Sequence, residues 1–248
     1  MNDNETHILG EKAVLRPGLY LLPVELSDGD VTAVLPARNL EIFRKIKYFV
    51  VENKRTARRF LKKIDKTIDI DSLTMFELNE HSSQAEIPAM LEPVKAGNAV
   101  GVMSEAGCPA VADPGARLVA YAQLCGVEVV PLVGPSSILM ALMASGMNGQ
   151  NFTFHGYLPI DDKKRDVSLR AMASAAMRTD STQIFIETPY RNNRLMERMI
   201  SVLPPTTLIC VASDITGQRQ NIRTMTAAQW KKTKFDFDRI PTIFLIGK

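Results

Sequence analysis

The sequence predicts an α/β fold built on a mostly parallel sheet. Short apolar runs alternate with helical patterns and are joined by short loops, the arrangement of successive β-α-β units. The 248 residues, 46% of them hydrophobic, suffice for one large or two small domains with a sizeable core. The small polar stretch 147–151 marks the expected junction, giving domains of 1–147 and 148–248.

Gly18–Leu22 is the expected first strand, ended by Pro23 and followed by turn residues Ser27-Asp28-Gly29-Asp30. Pro36 opens a helix with Leu40, Ile42, Phe43 and Ile46 on its apolar face. Tyr48–Val51 is the second strand. The next helix, 54–66, has two faces. Arg55, Arg58, Arg59, Lys62, Lys63 and Lys66 fall at i, i+3, i+4, i+7, i+8 and i+11, and Ala57, Phe60, Leu61 and Ile64 lie opposite. Residues 73–78 read as the third strand and 79–83 as a loop with a helix cap. The helix over 87–94 takes Pro88 in its first turn, and Pro93 is expected to end or kink it. Ala99–Met103 is an apolar run that reads as a buried strand, and a helical pattern resumes after Gly115 with Leu118, Val119, Tyr121, Ala122 and Leu124. Residues 127–133 are a further strand, and 134–137 lead into a small-residue helix over 138–145. Then come the strand Phe152–Tyr157, a charged loop over 161–166, a helix through Met177 and a strand over 183–187. A helix over Asn192–Val202 is stopped by Pro204-Pro205. Strands over 207–212 and 241–246 flank a polar, hairpin-like stretch in which Trp230 reads as packing.

Composition narrows the function classes. No apolar run approaches the roughly 18–20 residues of a membrane span, and residues 1–12 lack the apolar centre of a secretory signal. Three widely spaced cysteines, Cys108, Cys125 and Cys210, suit a reducing compartment, so a cytoplasmic protein is expected. His7, His81 and His155 are equally scattered, and no metal site is expected. The net charge of +3 is unevenly spread: residues 44–66 hold ten Lys/Arg against two acids, a local +8 that leaves −5 elsewhere. That segment is either a solvated surface or a grip on an anionic partner such as RNA phosphate. No P-loop, dinucleotide glycine motif or nucleophile–base motif is present.

Two loops follow predicted strands and carry small residues, 104–115 and 134–137. Small side chains let backbone N–H and C=O groups reach a ligand at the carboxyl end of a buried sheet, and ordinary tight turns are the alternative. Glu105 and Asp113 either ligate hydroxyls or an ammonium group, or cap the helices that follow. Glu187, at a strand end, either orients a ligand or pairs with Arg191 or Arg194.

Ser104-Glu105-Ala106-Gly107-Cys108-Pro109, continuing to Asp113-Pro114-Gly115, resembles the Ser-Asp-Ala-Gly-Thr-Pro-x-x-x-Asp-Pro-Gly signature of the tetrapyrrole-methylase-like superfamily. Gly134-Pro135-Ser136, Ala144-Ser145-Gly146-Met147, the Phe152 to Pro159 stretch and Glu187-Thr188-Pro189-Tyr190-Arg191 resemble its further motifs, in the right order. Within it, the chain is similar to the ribosomal small-subunit methyltransferase I group, which methylates a cytidine ribose of small-subunit rRNA. The resemblance implies a two-domain fold, mostly parallel in the first sheet and mixed in the second, with S-adenosylmethionine in the cleft between domains and a homodimer. By position it implies cofactor contacts from Ser104, Glu105, Ala106, Gly107, Cys108, Asp113, Gly134, Pro135, Ser136 and Met147, completed around Thr216 and Pro241. The first loop, from Pro23 to Asp30, and the second strand end, Val51-Glu52-Asn53-Lys54-Arg55, depart from the family pattern, and the charged tail domain of many ribosomal members is not expected.

The expected function is therefore methyl transfer from S-adenosylmethionine to a ribose hydroxyl of RNA. Arg55, Arg58, Arg59, Lys62 and Lys63 are the expected substrate contacts, and Glu105, then Glu52, the candidates to accept the hydroxyl proton. The alternatives are a tetrapyrrole C-methyltransferase, since a basic stripe also suits a polycarboxylate macrocycle, and a non-catalytic module binding the cofactor or RNA.

Overall fold

The computed structural model describes residues 15–248, so the segment 1–12 used for the secretory-signal expectation lies outside the described residues. The chain forms two compact units. The first comprises residues up to Glu25 with Asp30–Pro135, and the second Leu26–Gly29 with Ser136–Lys248.

The first unit is a five-stranded sheet of β1 (Gly18–Leu22), β2 (Tyr48–Val51), β3 (Thr74–Glu77), β4 (Ala99–Met103) and β5 (Val129–Pro131), in the order β3-β2-β4-β1-β5. Every pairing is parallel. Four helices serve it: α1 (Ala37–Lys45), α2 (Lys54–Ile64), α3 (Ile87–Lys95) and α4 (Gly115–Leu124). Alternate strand residues feed two cores. Tyr20, Leu22, Phe49 and Val51 pack with Ile42, Phe43 and Leu61, whereas Leu19, Val50, Val100 and Val102 pack with Ile87, Leu91 and Leu118. A sheet covered on both faces needs strands that are apolar throughout, which is why Ala99–Met103 carries no polar alternation.

The second unit holds α5 (Ser137–Ser145), β6 (Phe152–Tyr157), α6 (Asp162–Thr179), β7 (Thr182–Ile186), α7 (Asn192–Val202), β8 (Leu208–Ser213), β9 (Asn221–Thr226), α8 (Ala227–Trp230) and β10 (Thr242–Gly247). Its sheet runs β6-β7-β10-β8-β9 and is mixed: β6 pairs parallel with β7, and the other pairs are antiparallel. Phe185, Ile209, Val211 and Phe244 pack with residues of α6, α7 and α8. Ile184, Cys210, Ala212, Ile243 and Leu245 pack with α5. Trp230 is buried and donates its ring N–H to Ile209 O at 2.9 Å, as a packing residue should. No described helix is long and apolar enough to cross a membrane.

Three local expectations need correction. The stretch 161–166 is not a charged loop. Asp161 caps α6 by accepting from Lys164 N–H at 2.9 Å, and Asp162 and Asp166 are held by Arg165, Arg194 and Arg198, so the charges staple α6 to α7. Helix α3 continues past Pro93 to Lys95. Strand β5 is three residues long and stops before Val133. As for the division of the chain, helix α5 groups with the second unit, one helix ahead of the expected junction at 147, because Ala141 and Leu142 are buried against that unit's sheet.

Candidate active site

The first unit gathers its candidate residues at the carboxyl ends of its parallel strands, where open α/β sheets bind ligands. The loop after β4 begins with Ser104, whose hydroxyl donates to Ala106 O at 3.2 Å. Gly107 exchanges backbone bonds with the chain leaving β1: Val24 N–H donates to Gly107 O at 3.0 Å, and Gly107 N–H to Glu25 O at 3.4 Å. The Cys108 thiol donates to Pro135 O at 3.4 Å, joining this loop to the one after β5, and burial pushes the thiol pKa up. The two small-residue loops read from the sequence are thus neighbours. At Gly134 an added Cβ would overlap the ring of Pro23, so the end of β5 approaches the end of β1 only because position 134 lacks a side chain.

Asp113 shapes its own loop. Its carboxylate accepts from Ala110 N–H at 2.8 Å and from Gly115 N–H at 2.7 Å. Ala110 and Ala112 both take left-handed backbone, φ 66° and 59°, which costs an alanine roughly 1–2 kcal/mol apiece. Asp113 offsets that strain and holds the first turn of α4. Of the two roles left open for it, the helix-capping one is what its contacts display.

Glu105 and Glu52 meet. Glu105 N–H donates to Glu52 Oε1 at 3.2 Å, and the Thr56 hydroxyl donates to Glu105 Oε1 at 2.6 Å. Glu52 follows β2, and Thr56 lies in the first turn of α2, which Asn53 caps by accepting from Arg55 N–H at 2.8 Å. Burial pushes the half-buried Glu52 carboxyl above the ordinary glutamate range. The Glu105 N–H opposes that shift, and the Asp113 and Glu105 carboxylates add to it. Arg55, Arg58, Arg59 and Lys62 are exposed along α2, starting beside this carboxyl pair. Lys63 is engaged elsewhere, 2.7 Å from Glu25 Oε1, so one of the five expected substrate contacts is already paired.

In the second unit, Ser136 caps α5 through its hydroxyl. Met147 N–H donates to Ser145 Oγ at 3.0 Å, and its side chain shares a cluster with Ile215 and Ile243. The turn after β8 is joined to position 241 by Asp214 N–H donating to Pro241 O at 2.9 Å. Asp214 and Thr216 are both left-handed, φ 48° and 68°. Thr216 Oγ1 is buried without a hydrogen-bond partner. Thr216 and Pro241 therefore share one end of the sheet, whereas Met147 does not join them: its side chain lies against Gly247, at the opposite end of β10. Glu187 follows β7 at that same end of the sheet, since Ile186 pairs with Ile243; its side chain is buried, and Oε1 accepts from Arg191 Nε at 3.0 Å and Thr188 N–H at 2.7 Å. The ion pair is its observed role.

The sequence profile of the Tetrapyrrole (Corrin/Porphyrin) Methylases matches residues 32–230. The chain belongs to this family. The methylase is 30% identical to Ribosomal RNA small subunit methyltransferase I of Vibrio cholerae over 230 residues, covering 92% of this chain and 74% of that one. It is 28% identical to the protein of the same name from Escherichia coli O157:H7, covering 82% and 67% of the two chains. Its fold is similar to that of the methyltransferase CobJ, with a TM-score of 0.61 at 19% identity, covering 93% and 94%. It is also similar to uroporphyrin III C-methyl transferase from Thermus thermophilus, with a TM-score of 0.58 at 14% identity, covering 93% and 97%.

The methylase is a methyltransferase whose methyl donor is S-adenosylmethionine. Residues present in each unit suit that donor. The first unit offers backbone groups of a small-residue loop and a carboxylate cluster, complementary to a cationic sulfonium and ammonium. The second offers the unpartnered Thr216 hydroxyl, a donor and acceptor matched to an adenosine edge. Thr56, which bonds to Glu105, carried no sequence signal, because one threonine within a cationic helix face looks like any solvated side chain.

Proposed function

We propose that this methylase transfers a methyl group to a ribose 2′-hydroxyl of small-subunit ribosomal RNA. One observation carries the reading beyond the names of the relatives: the cationic face of α2 starts at the carboxyl pair. Thr56, in the first turn of α2, bonds to Glu105, and Arg55, Arg58, Arg59 and Lys62 continue from there. A phosphate backbone held on that face brings its riboses towards Glu52 and Glu105.

When bound, S-adenosylmethionine supplies a methyl group on positively charged sulfur, so the leaving group needs no further activation. Ser104, Glu105, Ala106, Gly107, Cys108, Asp113, Gly134, Pro135 and Ser136, with Thr216 and Pro241, are the residues proposed to hold it. The chain's own task is alignment and removal of one proton. Holding the hydroxyl in line contributes on the order of 7–11 kcal/mol in well-oriented systems. Glu52 Oε is the proposed proton acceptor. Its raised pKa makes it a stronger base than an exposed glutamate, and the Glu105 N–H fixes its position. Glu105, with its carboxylate on Thr56, positions the pair.

The protein acts as a homodimer in this proposal, in the cytoplasm where small subunits are made. Helix α5 is apolar on both faces: Ala141 and Leu142 are buried, but Leu139 and Met143 are 51% and 83% exposed. Strand β6, at one edge of the same unit's sheet, pairs only with β7 among the described residues and exposes Phe152 and Tyr157. A helix apolar all round is a buried helix, and a second copy would cover this one.

The test is transfer of a labelled methyl group to small ribosomal subunits isolated from a strain without this protein. Incorporation into the rRNA at a ribose supports the proposal. Incorporation into a porphyrinogen instead, or tight S-adenosylmethionine binding with turnover on neither, overturns it.

A further inference from the structure

We propose that Tyr190 is a stacking platform for an unpaired base of the RNA substrate, a role that rests on the RNA reading above. Tyr190 is 67% exposed, in a 3-10 turn over Pro189–Arg191 that follows β7. Lone exposed aromatics are common and need no function. This one differs in how it is mounted.

Its ring lies against a fixed cation. Arg191 Cζ is 5.5 Å from the ring centroid, and the guanidinium is pinned by the buried Glu187 through Nε at 3.0 Å and an Nη at 2.8 Å. The backbone of the turn is anchored at both ends. Arg191 N–H donates to Thr188 O at 2.8 Å, and Arg239 N–H donates to Pro189 O at 3.2 Å. The next residue, Asn192, is fully buried and donates to Ile240 O at 2.7 Å. A ring on such a mount loses little side-chain freedom when something stacks on it.

The neighbouring charge suits nucleic acid. The Arg239 side chain is 87% exposed, and its paired acid, Asp238, lies 3.7 Å away. Arg191 lies in the turn itself and Arg239 is bonded to it through its backbone N–H, each with an acid partner of its own, Glu187 and Asp238. A rigid aromatic with a guanidinium against it and a second cation on the neighbouring segment is the arrangement on which single-stranded nucleic acid stacks its bases. The ion pair of Glu187 acquires a purpose here: it holds Arg191 against the ring.

The experiment compares the unsubstituted protein with Tyr190→Ala and Tyr190→Phe in methyl transfer to small ribosomal subunits. Calorimetric affinity for S-adenosylhomocysteine and the melting temperature are measured on each. Base–aromatic stacking predicts that Tyr190→Ala raises KM for the subunits by about tenfold or more. Cofactor affinity and melting temperature stay unchanged, and Tyr190→Phe, which keeps the ring, retains the parental KM. An unchanged KM in Tyr190→Ala overturns the proposal, as does a Tyr190→Phe variant as impaired as Tyr190→Ala, since the hydroxyl would then be the contact. Inactivity of the unsubstituted protein on small subunits defeats the RNA reading itself, and is visible before any variant is compared.

Discussion

Glu52 is half-buried after β2, with Asp113 and Glu105 as its acidic neighbours. A carboxyl whose pKa is raised in the folded chain binds its proton more tightly there than in the unfolded chain. Its contribution to stability is therefore present at pH below the unfolded value and is lost as pH rises through the folded value. At neutral pH the ionised group works against the fold, which an enzyme tolerates where it needs a base. Glu52→Gln is expected to lower methyl transfer by about a hundredfold or more, keep its affinity for S-adenosylhomocysteine, and melt no lower than the parent at pH 7. In the parent, kcat/KM should fall on the acid side with an apparent pKa above that of an ordinary glutamate, and this limb should vanish from the residual activity of Glu52→Gln. A lower melting temperature together with full activity would remove Glu52 from the site. At this scale the sequence was only half legible. Glu105 and Asp113 stood out because they sit in a loop of small residues, but whether a carboxylate caps, pairs or waits for a ligand depends on neighbours distant in the chain. Asp113 turned out to hold two N–H groups of its own loop, Glu187 to hold Arg191, and Lys63 to hold Glu25.

Among the elements, α2 joins structure to chemistry most directly. Its inner face buries Ala57 and Leu61, and Asn53 satisfies its first N–H groups. The outer face is free to carry charge because the helix needs none of it to fold. Reversing Arg55, Arg58 and Arg59 to Glu should leave the melting temperature near the parent's and weaken RNA binding. The slope of log K against log salt should flatten by about 0.7 for each single-strand phosphate that the variant no longer neutralises. Unchanged salt dependence in filter binding would mean that this face is merely solvated. Elements were more legible than single residues, since a period of 3.6 with a two-faced pattern, or an unbroken apolar run, leaves little choice. The stretch 161–166 was not legible for a physical reason: three acids and three bases in six residues look like solvated loop until the partners on α7, Arg194 and Arg198, are brought alongside. Strand β5 was overestimated because the apolar run continues past the point where its pairing with β1 ends at Pro131.

For the whole molecule, the exposed face of α5 sets the expectation about assembly. Leu139→Asp with Met143→Asp should convert a sedimenting dimer to a monomer without lowering the melting temperature of the monomer. A parent that sediments as a monomer at tens of micromolar would dispose of the dimer. Family membership was readable from the loop motifs, and so was the contrast between a parallel and a mixed sheet. The boundary between the units was harder to read, because helix α5 has apolar residues enough to pack on either sheet. The four residues Leu26–Gly29 have a consequence for anyone who would take the protein apart. They belong with the second unit, where the Ser27 hydroxyl donates to Ile215 O at 3.1 Å and Leu26 joins the cluster under α5. The polypeptide thus lends a short segment to its far half before returning to complete its near half. No single cut in the gene yields both halves whole: a fragment starting at Ser136 lacks the Ser27 hydroxyl that bonds to Ile215 O, and one ending at Pro135 keeps Leu26 and Ser27 without the cluster and the carbonyl that hold them.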